Sequence, residues 1–303
     1  MSDSGRLAAE KPLGEVAAEI VPEPGWEALR DEVRTGTTLF VGRVGTGKST
    51  LVQWLATELL AGGHRVAVVT CDMGQPMFGV PGAMWATWGP TSRPVAGWFI
   101  GDNSPVGNLV PAVAGAAALV GAARKAGCDP ILVDTTGLVD GPLGRLLKLH
   151  KLHATGAARV VLLDSNPNNE LAPLFRLANR SVIQIPPSRH SRHRHWEERR
   201  EYRDRLFRAY FARAKLQCVP AGRVLSPDWQ AGLTPAAART APGRLCGLLD
   251  AEMYCRALGI VDSLSPGGIF VRTPETDLSW LSAVQLGRLQ LGRHGEELRR
   301  LDH

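Results

Sequence analysis

The feature that most constrains this chain is a glycine-rich segment between an apolar run and an amphipathic run. The apolar run 37–41 predicts a buried strand, and leucines spaced four residues apart predict a helix over 47–60. Between them, GRVGTGKST at 42–50 fits the pattern G-x-x-x-x-G-K-[ST] without a mismatch. In such a loop, glycines let backbone N–H groups point inward, and the helix start attracts negative charge. The segment therefore predicts a phosphate-binding loop (P-loop), because a chance glycine-rich turn would not need both flanking elements.

Individual residues of this loop have distinct expected roles in binding ATP. Lys48 is expected to contact the β- and γ-phosphates and to take part in catalysis, and Ser49 to offer its hydroxyl to Mg²⁺. The full set that we assign to nucleotide binding is Gly42, Val44, Gly45, Thr46, Gly47, Lys48, Ser49 and Thr50.

The chain up to residue 215 alternates between strand-like and helix-like segments. Apolar runs at 65–70, 131–134, 159–164 and 181–185 predict further strands, separated by helical segments. A helix over 106–126 is expected to be interrupted or kinked near Pro111. This alternation is typical of an α/β fold with a doubly wound, mostly parallel sheet.

Two aspartates end predicted strands of this sheet. Asp134 closes ILVD, and Asp72 follows RVAVVT. Ligands gather beyond the carboxyl ends of parallel strands, so we expect both carboxylates to converge on the P-loop. A phosphotransferase needs one carboxylate to accept the proton of the acceptor and another to hold the metal. Asp72 suits the first role and Asp134, with Ser49, the second; the residues alone also allow the reverse assignment or a simple turn-forming role.

The segment that follows Asp72 is apolar and rich in glycine and proline. Beside a phosphate site, a segment of this composition suits a loop that closes on the substrate, which we call the clasp and place at 72–89. A buried loop without contact to a substrate is the alternative.

A basic segment follows the strand at 181–185. Between Ser188 and Lys215, ten arginines and lysines against four acidic residues give +6, which equals the net charge of the whole chain. This concentration indicates a polyanionic partner. We predict a helical lid over 188–212, with Arg192, Arg199 and Arg203 able to bind phosphate oxygens through their planar guanidinium groups. The alternative is a solvated helix with internal Glu–Arg pairs.

These segments predict three regions: a flexible tail over 1–24, a P-loop kinase domain over 25–215, and a small β-rich C-terminal extension over 216–303 that packs on the kinase domain. Five scattered cysteines, no signal-peptide pattern at the N-terminus and no long apolar run predict a cytoplasmic protein without a membrane partner.

The motifs together resemble the polynucleotide 5′-hydroxyl kinase family, which includes the kinase of the eukaryotic pre-mRNA cleavage complex and its pre-ribosomal-RNA-processing relatives. The chain is similar to compact prokaryotic members, over most of its length from about residue 20 onward. The matching segments are GRVGTGKST, DMGQPMFGVPG, WFIGDNSP, VDTTGLVDG, the Arg-rich lid, and the late runs GRLCGLLDAE, GIFVRTP and VQLGRLQL.

This resemblance implies transfer of the γ-phosphate from ATP, with Mg²⁺, to the 5′-OH of RNA or DNA. It implies that Asp72 is the general base and that Arg192 or Arg199 stabilises the transferring phosphoryl group. The remaining substrate and clasp positions that we assign are Gln75, Pro81, Gly82, Thr135, Thr136, Arg189 and Arg203.

Two other functions fit the P-loop. A kinase of a small-molecule hydroxyl would leave the basic cluster unexplained. A non-catalytic ATP-binding scaffold in an RNA-processing complex would not need the set Lys48, Ser49, Asp72 and Asp134.

Overall fold

The first sheet is built from the apolar runs of the first two thirds of the chain. A computed structural model describes residues 20–89, 93–190, 195–225, 235–265, 267–293 and 295–301. The strands of this sheet are β1 (Thr37–Gly42), β2 (Ala67–Thr70), β3 (Ala83–Trp88), β4 (Ala96–Phe99), β5 (Ile131–Asp134), β6 (Arg159–Leu163) and β7 (Ser181–Ile185). Their spatial order is β4-β3-β2-β5-β1-β6-β7, in which β2, β5, β1, β6 and β7 are parallel. The predicted mostly parallel α/β sheet is confirmed.

The antiparallel hairpin of β3 and β4 at one edge of this sheet was not predicted. β3 occupies the last part of the segment 72–89 that we interpreted as a clasp loop, so that boundary is wrong beyond residue 82. In the run AMWATW, residues 85–88 pair with β2 and residues 83–86 with β4, and all residues but the last are buried. We included this run in the loop because the segment before it is rich in glycine and proline.

Seven α-helices accompany the sheets in the described part of the chain. They are α1 (Trp26–Glu32), α2 (Lys48–Ala61), α3 (Leu109–Lys125), α4 (Gly141–Thr155), α5 (Leu171–Leu177), α6 (Trp196–Phe211) and α7 (Pro235–Thr240). The expected interruption at Pro111 does not occur, because Pro111 lies in the first turn of α3, where its missing N–H removes no helical hydrogen bond. No described helix is both long and apolar enough to cross a membrane.

The second sheet is formed by the C-terminal part of the chain. It contains β8 (Lys215–Pro220), β9 (Val224–Leu225), β10 (Arg244–Leu249), β11 (Cys255–Ser265), β12 (Gly268–Thr273), β13 (Ala283–Leu291) and β14 (Glu297–Arg300). The order is β14-β13-β10-β11-β12-β8, all antiparallel, and β9 pairs in parallel with β13.

The alternation of side chains along the first sheet creates two hydrophobic layers. Leu39 and Val41 point to the layer made with α3, α4 and α5, whereas Phe40 points to the layer made with α1 and α2. Residues of the second sheet and of α6 belong to this latter layer, among them Leu245 and Phe207. The second sheet and α6 therefore pack on the same face of the first sheet as the helix that follows the P-loop.

Candidate active site

The P-loop connects β1 to α2 with the backbone geometry that its glycines permit. Gly45 and Gly47 adopt φ values of 74° and 85°, in the left-handed region that other residues rarely enter. Gly47 is also the residue before α2, so the loop leads directly into the start of that helix. Within the loop, the Thr46 hydroxyl and the Lys48 ammonium donate to the carbonyl oxygen of Arg43, at 2.9 and 2.7 Å.

Asp134, at the end of β5, is bonded directly to the P-loop helix. Its Oδ2 accepts a hydrogen bond of 2.7 Å from the Ser49 hydroxyl. Its Oδ1 is buried and has no partner in the described part of the chain. Burial raises the pKa of Asp134 to about 6, while Lys48 and the Ser49 hydrogen bond act in the opposite direction. A hydroxyl and a carboxylate with one free oxygen are hard oxygen ligands, so Ser49 and Asp134 fit Mg²⁺.

Asp72 is brought beside Asp134 by the pairing of β2 with β5. Thr70 is opposite Asp134 in the register, and the Cys71 N–H donates to the Asp134 carbonyl at 2.8 Å. Oδ1 of the partly exposed Asp72 accepts from the N–H groups of Gly74 and Gln75, at 3.0 and 2.9 Å. These two bonds fix the orientation of the carboxylate at the strand end.

The three charges of the site interact with one another. Lys48 is only 7% exposed, and its burial lowers the pKa of its ammonium group. The negative charges of Asp134 and Asp72 oppose this shift. Both aspartates therefore converge on the P-loop lysine, which is the arrangement that the strand ends predicted.

Thr135 and Thr136 are the first residues of the loop that follows β5, and both are buried. The Thr135 hydroxyl donates to the Phe40 carbonyl at 2.7 Å and accepts from Lys148 Nζ at 2.9 Å. Lys148 also donates to the carbonyl oxygen of Thr136. The structure thus uses at least the Thr135 side chain to hold the loop, and the substrate role that we assign to the two threonines stays a prediction.

Lys148 was not predicted to lie at the site. It is fully buried on the inner face of α4 together with Leu147, Lys151 and Leu152. Burial lowers its pKa well below the usual range of a lysine, and repulsion by Lys151 and Lys48 adds to this effect. The spacing of two lysines on the apolar face of a predicted helix was the available signal.

The clasp lies between the strand end at Asp72 and the start of β3. Gly82 N–H donates to the Met73 carbonyl at 2.9 Å and so closes the loop, and Pro81 is buried. Gln75 Nε2 is buried and lacks a partner in the described residues. The backbone N–H of the same residue donates to Asp72 Oδ1, so Gln75 belongs to the loop that holds Asp72, and its substrate role stays a prediction.

The base of the lid covers the P-loop. The Ser188 N–H donates to the Thr46 carbonyl at 3.1 Å, and a Cβ on Gly47 would lie 2.8 Å from that of Ser188. Glu23 Oε1 accepts from the Ser188 hydroxyl at 2.9 Å and from the Arg189 N–H at 2.8 Å. A carboxylate from the segment before α1, not predicted from the sequence, therefore holds the base of the lid.

The lid arginines differ in what they contact. Arg203, which we assigned to substrate binding, forms an ion pair with Glu297. Arg199 Nε is buried without a partner among the described residues. The Tyr202 hydroxyl, one turn further along α6, donates to the Pro76 carbonyl of the clasp at 3.2 Å. Arg192 lies outside the described residues.

Comparison with known proteins gives relatives over nearly the whole chain. A protein of Pyrococcus abyssi named polyribonucleotide 5′-hydroxyl-kinase is 28% identical, over 91% of this chain and 92% of its own. One of the same name from Pyrococcus horikoshii is 25% identical, over 93% and 94%. The structure of a wild-type Clp1p–Pcf11p complex shares the fold with a TM-score of 0.68 at 15% identity, covering 92% of this chain and 78% of that one.

The family comparison agrees with the geometry. The profile described as "mRNA cleavage and polyadenylation factor CLP1 P-loop" matches residues 42–213. This range is more than half of the chain and contains the P-loop, both aspartates and the lid. The resemblance inferred from the motifs is confirmed, and the chain belongs to the CLP1 P-loop family.

Proposed function

We propose that this protein is an ATP-dependent polynucleotide 5′-hydroxyl kinase that transfers the γ-phosphate of ATP to the 5′-OH of RNA. The observation that carries the proposal is the convergence of Asp72 and Asp134 on Lys48 from neighbouring strands. The name of the archaeal relatives, which match this chain almost from end to end, supports RNA as the acceptor.

The two carboxylates have different surroundings, and this difference supports their assignment. Asp134 is buried and bonded to Ser49, and its other oxygen has no partner among the described residues. Asp72 is partly exposed and borders the clasp, where an acceptor hydroxyl can reach it. Ser49 and Asp134 are the residues that would hold Mg²⁺, which when bound neutralises charge on the β- and γ-phosphates. Asp72 is left as the general base.

In the proposed reaction, the oxygen of the 5′-OH forms a bond to the γ-phosphorus while the bond from this phosphorus to the β–γ bridging oxygen breaks. The hydroxyl proton passes to Asp72, and the bridging oxygen leaves with ADP. Lys48 and Arg199 supply positive charge to the phosphoryl oxygens, where negative charge spreads in the transition state. Arg199 is our choice for this role because its Nε has no partner in the part of the chain that the structure describes, whereas Arg203 is paired with Glu297.

The test is transfer of label from γ-labelled ATP to oligonucleotides. We expect labelling of RNA with a 5′-OH and none of the same RNA with a 5′-phosphate, because the acceptor oxygen is then blocked. Single-stranded DNA of the same sequence measures whether DNA is also an acceptor. Transfer to free nucleosides but not to RNA would instead identify a small-molecule kinase. Binding of ATP without transfer to any acceptor would identify a scaffold.

A further inference from the structure

The second sheet meets the lid helix at Glu297, a residue with no role in the site described above. Its N–H donates to Asp204 Oδ1 at 2.8 Å, and its carbonyl oxygen accepts from Arg200 at 2.7 Å. Its carboxylate accepts from Arg203 Nε and Nη2, at 2.7 and 3.3 Å, and from Asn103 Nδ2 at 3.0 Å. Every polar group of Glu297 is thus bonded to α6 or to the loop after β4.

The ion pair at the centre of this arrangement is largely removed from solvent. The side chains of Arg203 and Glu297 are 14% and 15% exposed, and two donors of one guanidinium reach the two oxygens of one carboxylate. Such bidentate pairs fix geometry more strongly than exposed pairs. Removal of one charge leaves the other poorly solvated and without compensation.

A continuous set of contacts leads from Glu297 to the proposed general base. Asn103, bonded to Glu297, lies against the clasp, since a Cβ on Gly74 would be 2.5 Å from the Asn103 carbonyl oxygen. The Gly74 N–H in turn donates to Asp72 Oδ1 at 3.0 Å. The Glu297 carboxylate therefore contacts the lid helix through Arg203. Through Asn103 it contacts the loop whose N–H groups hold Asp72.

We propose that Glu297 is a positioning residue that couples the lid helix to the loop carrying Asp72, so that the C-terminal sheet takes part in phosphoryl transfer. The proposal rests on the proposed function. Arg199 lies one helical turn before Arg203, so a shift of α6 at Arg203 displaces Arg199 as well. Glu297 bonds to no P-loop residue; its loss therefore acts on the transfer step and not on ATP binding.

Glu297→Gln tests the coupling because it removes the charge and keeps the size of the side chain. We expect kcat to fall by about 10- to 100-fold, because small displacements of reacting groups have effects of this size. The KM for ATP should stay unchanged. Asp262→Asn is the matched control, since it breaks another ion pair of the same sheet, Asp262–Arg272 at 2.7 Å. This control is expected to keep the wild-type kcat.

A double-mutant cycle separates coupling from an independent role of Arg203 in substrate binding. If Glu297 acts through Arg203, the double variant Arg203→Gln/Glu297→Gln should have the same kcat as the more severe of the two single variants. A fall in the kcat of the double variant equal to the product of the two single falls would contradict the coupling.

Amide hydrogen exchange gives a second measurement that does not depend on activity. We expect Glu297→Gln to raise exchange in both α6 and 72–82, and Asp262→Asn in neither segment. Increased exchange confined to β13 and β14, with a wild-type kcat, would overturn the proposal. If the wild-type protein showed no transfer activity, only the proposed function would be contradicted. The coupling would still be rejected if Glu297→Gln left the exchange of residues 72–82 unchanged.

Discussion

At the scale of single residues, the difference between Asp72 and Asp134 comes from what surrounds each carboxylate. Asp134 is the last residue of β5, and Asp72 lies two residues after the end of β2, where Thr70 is paired with Asp134. Burial raises the pKa of Asp134 to about 6, because the charged carboxylate is poorly solvated there. A bound cation would compensate this negative charge. Asp72 is instead held by two backbone N–H groups at the edge of the clasp. Asp134 is thus suited to metal binding, and Asp72 to proton transfer.

Asp72→Asn tests this assignment directly. The amide keeps the shape of the side chain but cannot accept the proton, so we expect turnover to fall by about 10²–10⁴-fold with ATP binding preserved. Asp250→Asn is the control, because Asp250 follows strand β10 and its Oδ1 also accepts two backbone N–H bonds, from Glu252 and Tyr254, each at 3.0 Å. Steady-state kinetics and ATP titration measure both. Near-normal turnover of Asp72→Asn would show that another group is the base.

At the scale of elements, α6 has two parts with different surroundings. Its C-terminal part is anchored in the core by Phe207 and Phe211, and the Tyr210 hydroxyl accepts from the Leu258 N–H of β11 at 2.9 Å. Its N-terminal part faces the clasp through Tyr202. A helix fixed at one end and adjacent to the site at the other can present Arg199 to a phosphoryl group.

Replacement of single arginines on α6 distinguishes catalysis from strand binding. For Arg199→Ala we expect kcat to fall by up to about 10³–10⁵-fold, because the variant loses charge that acts on the transferring phosphoryl. Arg208→Ala, an exposed arginine in the last turn of α6, is the control and should keep the wild-type kcat. Salt-dependent RNA affinity is measured in parallel. If Arg199→Ala kept its kcat and lost only about one unit of the salt slope, Arg199 would be a backbone contact.

At the scale of the whole molecule, the two sheets are joined where backbone touches backbone. A Cβ on Gly101, after β4, would lie 2.5 Å from the Gly287 Cα of β13. The Gly101 carbonyl accepts from the N–H groups of Arg288 and Leu289, at 2.7 and 3.0 Å. One hydrophobic cluster includes Phe99 of the first sheet and Leu245 of the second. The second sheet therefore supports the loop after β4, beside the clasp.

Gly287→Ala measures how much this contact contributes to stability. The added methyl group has no space beside Gly101, so we expect the free energy of unfolding to fall by about 1–3 kcal/mol. Gly121→Ala in α3 is the control, because among the described residues no atom outside the backbone of that helix lies within 4 Å of the added Cβ. There we expect a gain of up to about 1 kcal/mol from the better helix propensity of alanine. Denaturant unfolding gives both values. If Gly287→Ala unfolded at the wild-type midpoint, the two sheets would have moved apart at this contact without loss of stability.

The sequence by itself determined the elements and motifs that depend on local physics. Strands β5 and β7 have the bounds that their apolar runs predicted, and the P-loop lies between strand and helix as expected. Side-chain periodicity and the backbone freedom of glycine act over a few residues, so they can be recognised in a linear sequence. The parallel pairing of β2 with β5 then brings Asp72 and Asp134 together.

Only the tertiary structure decided which distant groups contact one another. Glu23 holds the base of the lid, Lys148 supports the threonines after Asp134, and Glu297 joins α6 to the loop after β4. The pairing of strand β3 with β2 and β4 is likewise a contact between separate segments. A charged or polar residue acquires such a partner only through packing of segments far apart in the chain. Local pattern contains no information about that partner.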